Sequence, residues 1–239
     1  SRIETVNIKE LLSSLKEYDD IFPDIDNQIK SLDVALLEQE VKSIEHDSRK
    51  VKDGSIFIAI AGTDFDSHTK IEQARNNGAV FVIGSKTYVQ QPDLVLPDSR
   101  ACIGVLSSRF NGDISRDMSI VGITGTNGKT TVSYLYSSMA KSNSKSCFTM
   151  GTTGIFVNGE KETDSQTTPD PLLVNNYFND FYNRGVTTGA IEVSSHALDQ
   201  YRVLGTKFKA VAFTNFSQDH LDYHTSMEEY FDAKAKLFS

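Results

Sequence analysis

Ser119-Ile-Val-Gly-Ile-Thr-Gly-Thr-Asn-Gly-Lys-Thr-Thr131 is the stretch that decides the fold of this chain. It opens with Ile120, Val121 and Ile123, an apolar run of the length of a buried strand. It turns through Gly125 and Gly128 to Lys129-Thr130, and Val132, Leu135, Tyr136 and Met139 follow at helical spacing. Strand, glycine turn, Lys-Thr and helix form the layout of a phosphate-binding loop. Glycines let backbone N–H groups approach phosphate oxygens, and a helix N-terminus adds partial positive charge. In such a loop Lys129 reaches the outer phosphates and the Thr130 hydroxyl holds Mg²⁺. The strict G-x-x-x-x-G-K-[ST] pattern is not met, because Ile123 stands five residues before Gly128. The reading therefore rests on the strand and helix signals on either side.

Composition narrows the function classes. At 239 residues the chain has room for one large domain or two ordinary ones, and 38% hydrophobic with 23% charged residues describes a globular protein. A net charge of −8 argues against non-specific nucleic-acid binding, which needs clustered Lys and Arg, but leaves nucleotide binding open. Cys102 and Cys147 lie far apart, match no metal spacing and suggest a reducing compartment. No run reaches transmembrane length and the N-terminus has no signal-peptide core, so a cytoplasmic protein without membrane insertion, acting as a monomer, is expected.

Outward from the loop, the pattern is α/β. Ile8, Leu11, Leu12 and Leu15 fit an amphipathic helix, and the acidic stretch from Glu17 to Asp33, with Pro23, reads mostly as loop. Strands are expected at Ser55–Ile60 and Ala79–Ile83, with a helix from Ile71 to Asn77 ending at Gly78 and another from Ser99 to about Phe110. Asn111-Gly112-Asp113 breaks the pattern, which places one domain at 1–112 and a second at 113–239. In the second, Cys147–Met150, Gly189–Val193 and Lys209–Asn215 read as strands, Gly151–Gly154 as a turn and 171–184 as a helix. Open parallel sheets bind ligands beyond the carboxyl ends of their strands. The phosphate loop, Glu192 and the 215–224 loop all fall at such ends, which suggests one shared site.

The last periodic stretch carries an oddity. Ser226 with Glu229 makes a capping-box pattern, and Met227, Tyr230, Phe231, Leu237 and Phe238 form an apolar stripe. Lys234 falls in the middle of that stripe and Lys236 on the opposite face. A lysine so placed is paired, neutral, modified or has its head reaching water along its stem.

Four motifs, in order, resemble the Mur ligases of peptidoglycan synthesis. They are Asp47-Ser48-Arg49 with Gly54 and the Phe57-Ile-Ala run, then Thr124-Gly-Thr-Asn-Gly-Lys-Thr130, then Glu192-Val-Ser-Ser-His-Ala-Leu198 with Gln200 and Arg202, then Asp219-His-Leu-Asp222 with Ala233-Lys234. The third, with Thr167-Thr168-Pro169, is similar to the MurE branch, which adds the third peptide residue. Two departures stand out: Asp66-Ser67-His68 where Asp-Gly-His is usual, and Gln166 where Asn is common. The resemblance implies a small N-terminal uridine-binding α/β domain followed by the first part of a P-loop, mostly parallel-sheet ATPase domain. It also implies a third domain, which carries the ADP and amino-acid sites and lies outside these residues, so the 239-residue chain alone is expected to form no product.

Residue by residue, the resemblance implies that Ser48, Thr63, Asp64 and Phe65 hold the uridine diphosphate. Gln166, Thr167, Thr168, Ser194, Gln200 and Arg202 hold the muramoyl dipeptide. Gly125, Thr126, Asn127, Gly128, Lys129, Thr130 and Thr131 hold the ATP phosphates. Thr130 and Glu192 bind one Mg²⁺, and Glu192, His220 and a carbamate on Lys234 help hold a second. Lys129, Glu192, His220 and Lys234 are thus the expected catalytic residues. The implied reaction is ATP-dependent amide formation on UDP-N-acetylmuramoyl-L-alanyl-D-glutamate through an acyl phosphate, with lysine or meso-diaminopimelate as the amine. A non-catalytic nucleotide-sugar-binding module is the alternative from another class. A folylpolyglutamate-synthase-like ligase is disfavoured by Asp47-Ser48-Arg49 and Glu192-Val-Ser-Ser-His196.

Overall fold

The computed structural model describes residues 5–87 and 89–216. The chain divides into two compact units, Ser1–Phe110 and Asn111–Ser239.

In the first unit, α1 (Ile8–Ser13) starts at Asn7, whose side chain accepts from the Glu10 N–H while Glu10 reaches back, a full capping box. Ile8, Leu11, Leu12 and Leu15 are all buried, as their spacing predicts. The stretch expected to be loop holds a helix instead, α2 (Ile25–Lys30). Ile25 and Ile29, four apart, are buried on one face, and that apolar pair outweighs the acidic residues around it. After α3 (Val34–Leu37) come β1 (Ser43–Glu45), β2 (Ser55–Ile58), α4 (Ile71–Asn76), β3 (Ala79–Gly84), β4 (Leu94–Val95) and α5 (Ser99–Phe110). The strands pair in parallel in the order β1-β2-β3-β4. All four residues of β2 are buried, the pattern of a central parallel strand covered on both faces.

The second unit is built on a six-stranded sheet. Its elements are β5 (Ser119–Thr124), α6 (Lys129–Ser142), β6 (Phe148–Gly151), β7 (Gly154–Val157), β8 (Glu160–Thr163), α7 (Pro171–Asn183), β9 (Thr188–Glu192), α8 (Ser195–Asp199) and β10 (Ala210–Phe213). Strand order is β10-β5-β9-β6-β7-β8, parallel from β10 to β6 and antiparallel beyond. The antiparallel pair β7–β8 and the short helix α8 are additions to the sequence reading. Asn158 and Gly159 both have positive φ at the β7–β8 turn, the conformation a tight hairpin favours and Asn-Gly supplies. The core of this unit gathers Ile120, Phe148, Met150, Val174, Phe178, Phe181 and Ile191, with the Phe148 ring stacked on Phe181 at 5.0 Å.

Helix α6 follows the phosphate loop as expected, but its apolar stripe is not its buried face. Leu135 is 54% and Met139 66% exposed, whereas Ser133 and Ala140 point inward. Small side chains on that face lie toward β9 and leave a cleft along the helix. No described helix is long and apolar enough to cross a membrane.

Candidate functional site

The site of the second unit is built where β5, β6, β9 and β10 end. β5 delivers the chain into the loop at Thr124, and α6 starts at Lys129. Gly125 and Gly128 both have positive φ, and at Gly125 a side chain has no room, because a Cβ there would lie 1.9 Å from the Thr214 Oγ1. The loop leans on the end of β10. The Thr126 N–H donates to the Asn215 carbonyl (3.0 Å) and the Asn127 N–H to the Asn215 Oδ1 (2.9 Å). Asn215 Nδ2 and Thr214 Oγ1 both donate to the Asn127 carbonyl, at 3.0 and 2.6 Å. The amides of Thr126 and Asn127 are thus taken up in holding the loop's shape, whereas those at the start of α6, Lys129 to Thr131, are left by the helix without internal acceptors. Lys129 curls over the loop, its Nζ donating to the carbonyl of Gly125 at 2.8 Å.

Glu192 closes β9 and is 1% exposed. A carboxylate so buried needs partners. Its Oε2 accepts from the Thr152 N–H (2.8 Å) and the Thr152 Oγ1 (3.1 Å). The carboxyl lies over Gly151, where any Cβ would come within 2.3 Å of its Cδ. Glu192 and Thr130 line one cleft of about 480 Å³ between α6 and the β6–β7 hairpin, with Ser133, Ser137 and Thr153. Among the described residues no group of three or more His, Cys, Asp or Glu could hold a metal ion. One carboxylate and one hydroxyl in a shared cleft beside a phosphate loop nonetheless suit Mg²⁺, which keeps waters and takes substrate phosphates rather than a full protein cage. His220 and Lys234, the other expected metal residues, lie outside the described residues, as do Asp219 and Asp222.

The threonine loop packs beside Glu192. Thr168 Oγ1 donates to the Glu192 carbonyl (2.9 Å) and accepts the Ser194 N–H (3.1 Å). Thr167 Oγ1 lies 3.0 Å from Thr152 Oγ1. Arg202 fastens this loop from the far side. Its Nη1 donates to Gln166 Oε1 (3.0 Å) and the Thr168 carbonyl (2.9 Å), and its Nε and Nη2 donate to Gln200 Oε1. Gln166, Thr167, Thr168, Ser194, Gln200 and Arg202 are thus brought together, although Arg202 acts here as a brace on the loop. Ser194 caps α8 by accepting the Ala197 N–H (3.1 Å), which leaves its hydroxyl proton to donate.

In the first unit, Ser48 and the Thr63–Phe65 loop follow the carboxyl ends of the adjacent parallel strands β1 and β2. Ser48 Oγ donates to Gln73 Oε1 on α4 (3.1 Å), and Asp47 pairs with Arg49 through two bonds of 2.9 and 2.7 Å. Those bonds and the Arg49 main-chain N–H hold the Asp47 carboxyl down at about 2. Thr63, Asp64 and Phe65 are exposed, Phe65 at 58%. The loop behind them is fixed by His68, whose ring is buried. Its Nδ1 lies 2.7 Å from Asp66 Oδ1, and its Nε2 accepts the Ser85 N–H at 2.9 Å. A main-chain N–H can only donate, so the Nδ1–H tautomer faces Asp66.

Sequence reasoning gave no role to Thr152 or Thr214, and reached Asn215 only as the end of a strand and the first residue of the 215–224 loop. Each acts through a hydrogen bond to a residue distant in sequence, and the only local signal is a polar residue just past a strand's carboxyl end.

The family description "Mur ligase middle domain" matches residues 123–239, and "Mur ligase family, catalytic domain" matches residues 40–116. The chain is 41% identical over 210 residues to the UDP-N-acetylmuramoyl-L-alanyl-D-glutamate–2,6-diaminopimelate ligase of Aquifex aeolicus, covering 87% of this chain and 43% of that one. It is 43% identical over 201 residues to the ligase of the same name from Listeria innocua, covering 84% and 41%. A solved structure of a ligase of that name superposes with a TM-score of 0.77 at 32% identity, covering 98% of this chain and 45% of the other. The chain spans less than half the length of these relatives. With both domain matches in sequence order and this likeness in sequence and in three dimensions, the chain belongs to the Mur ligase family.

Proposed function

We propose that this protein is an ATP-dependent amide ligase of the MurE type. It joins a diamino acid to the D-glutamyl γ-carboxylate of UDP-N-acetylmuramoyl-L-alanyl-D-glutamate in the cytoplasm. The observation that carries the reading is the convergence of three parts on one end of one sheet: the phosphate loop, the buried Glu192 bonded to Thr152, and the braced Thr167–Thr168 loop. The names of the relatives favour 2,6-diaminopimelate as the amine over lysine.

Bringing a carboxylate to a phosphorylated anion requires concentrated positive charge. Lys129 and the first amides of α6 supply it on the phosphate side. Thr130 and Glu192 would hold Mg²⁺, which when bound neutralises developing phosphate charge. Ser194 donates to, and Thr167 orients, the peptide end. Ser48 and the Thr63–Phe65 loop take the uridine diphosphate, and Ser48 can accept from the ligand because its proton is already directed at Gln73. His220 and Lys234 complete the proposed catalytic set, Lys234 as a carbamate, an anionic oxygen ligand suited to a hard cation.

The test is phosphate release by the complete protein with ATP and the UDP-muramoyl dipeptide, with each diamino acid added in turn. Release that depends on diaminopimelate supports the reading. Release that ignores both amines, or that requires a folate instead, overturns it.

A further inference from the structure

The Thr152 hydroxyl sits between the Glu192 carboxylate and the Thr167 hydroxyl. The Glu192 carboxylate can only accept, so the bond between Thr152 Oγ1 and Glu192 Oε2 takes the Thr152 hydroxyl proton. Thr152 Oγ1 is then an acceptor toward Thr167 Oγ1, 3.0 Å away, and Thr167 must donate there. The chain of protons runs in one direction, from Thr167 to Thr152 to Glu192. Both bonds from Thr152 fall on Oε2, which leaves Oε1 as the oxygen to present to a ligand. Thr167 keeps its lone pairs for an N–H of whatever lies against the loop. Thr168 bonds the Glu192 carbonyl at the same time, so the threonine loop reaches one glutamate twice, directly at its main chain through Thr168 and by way of Thr152 at its side chain.

We propose that Thr152 is a positioning residue that joins the cation-holding carboxylate to the peptide-binding loop: it fixes the Glu192 carboxylate with one oxygen presented, and it orients the Thr167 hydroxyl as an acceptor for a substrate amide. The proposal rests on the reading of Glu192 as a ligand for a divalent cation. Residues that orient a metal ligand change affinity by about 10–100-fold when removed. Thr152→Val and Thr152→Ser both keep the main-chain N–H that bonds Glu192, so the lower end of that range is expected for loss of the hydroxyl alone.

The experiment compares Thr152→Val, which keeps the shape and removes the hydroxyl, with Thr152→Ser, which restores it, and with Glu192→Gln. Mn²⁺ affinity in the presence of ADP is read by electron paramagnetic resonance. Affinity for the UDP-muramoyl dipeptide in metal-free buffer is read by calorimetry, with Tm as the folding control. The expected result is that Thr152→Val weakens Mn²⁺ about tenfold and weakens the metal-free dipeptide affinity several-fold. Thr152→Ser recovers both and Tm changes little. If Glu192→Gln abolishes Mn²⁺ binding while Thr152→Val binds both ligands as the wild type does, the role of Thr152 is overturned and the cation reading stands. If Glu192→Gln leaves Mn²⁺ affinity unchanged, the cation reading itself falls. If Thr152→Ser behaves like Thr152→Val, the hydroxyl is not the active element and the proposal is overturned.

Discussion

Replacing Gly151 with alanine puts the site's geometry to a direct test. A Cβ at residue 151 would lie 2.3 Å from the Cδ of Glu192 and 2.4 Å from its Oε2. Non-bonded carbons rest at about 3.5–4.0 Å, so the carboxyl or strand β6 must move by more than about 1 Å. The φ of Gly151 is not in the left-handed region, so the whole effect is steric. If the carboxyl moves, it leaves the Thr152 N–H at 2.8 Å and the Thr152 Oγ1 at 3.1 Å. Hydrogen bonds to a charged group contribute about 1.5–3 kcal/mol each, which gives a loss of about 3–6 kcal/mol. If β6 moves instead, it strains ladders on both sides, to β7 and to β9. The assay is urea unfolding followed by far-UV circular dichroism, since the sequence has no tryptophan. Gly112→Ala is the control. Nothing lies within 4 Å of a Cβ there, and only its φ of +80° is unfavourable, at about 1–2 kcal/mol. Adding Glu192→Ala to Gly151→Ala removes the obstruction and should make the pair non-additive by about 1 kcal/mol or more. A Gly151→Ala protein that loses under about 1 kcal/mol, or a strictly additive double variant, would refute the argument.

Phe148→Ala removes a fully buried ring stacked on Phe181, and should lower stability by about 3–5 kcal/mol in urea unfolding; a loss below about 1 kcal/mol contradicts the packing described. Burial pushes the Cys147 thiol up to about 11, against a smaller lowering by Ser137, and pushes Cys102 higher still. A thiol reagent at mildly alkaline pH should therefore label neither in the folded protein and both in urea, and rapid labelling of the native chain would show the burial to be wrong. Burial draws the Asp66 carboxyl upward, but Lys86 and the main-chain and ring N–H groups of His68 outweigh it and hold it at about 2, below its ordinary 3.8. A lowered carboxyl stabilises above its unfolded value, and that contribution fades as pH falls from 3.8 through about 2. Asp66→Asn should thus lower Tm at neutral pH and flatten the acid limb of the Tm profile in that window; parallel profiles for the two proteins would exclude the effect.

Much of this molecule is local and can be read in one dimension. The β5–loop–α6 unit follows from an apolar run, two glycines and a helical period, and α5 and α7 follow from their caps and breakers. The sequence placed the phosphate loop, Glu192 and the start of the 215–224 loop at strand ends because a parallel sheet puts every carboxyl end on the same edge. Helix α2 and the β7–β8 hairpin were also local signals, an Ile25/Ile29 pair and an Asn-Gly turn, but acidic composition and a short turn concealed them. The tertiary structure alone decided which residue holds which. Strand order inserts β9 between β5 and β6 and sets β10 on the other side of β5. That order carries Thr152 to Glu192, forty residues away, and Asn215 to the phosphate loop, eighty-eight residues from Asn127. It also turned the Leu135 and Met139 stripe of α6 outward and left a polar cleft where periodicity suggests a core. Periodicity records only that one face of an element differs from the other, whereas a hydrogen bond needs two atoms within about 3 Å, and that distance is set by how the strands pair.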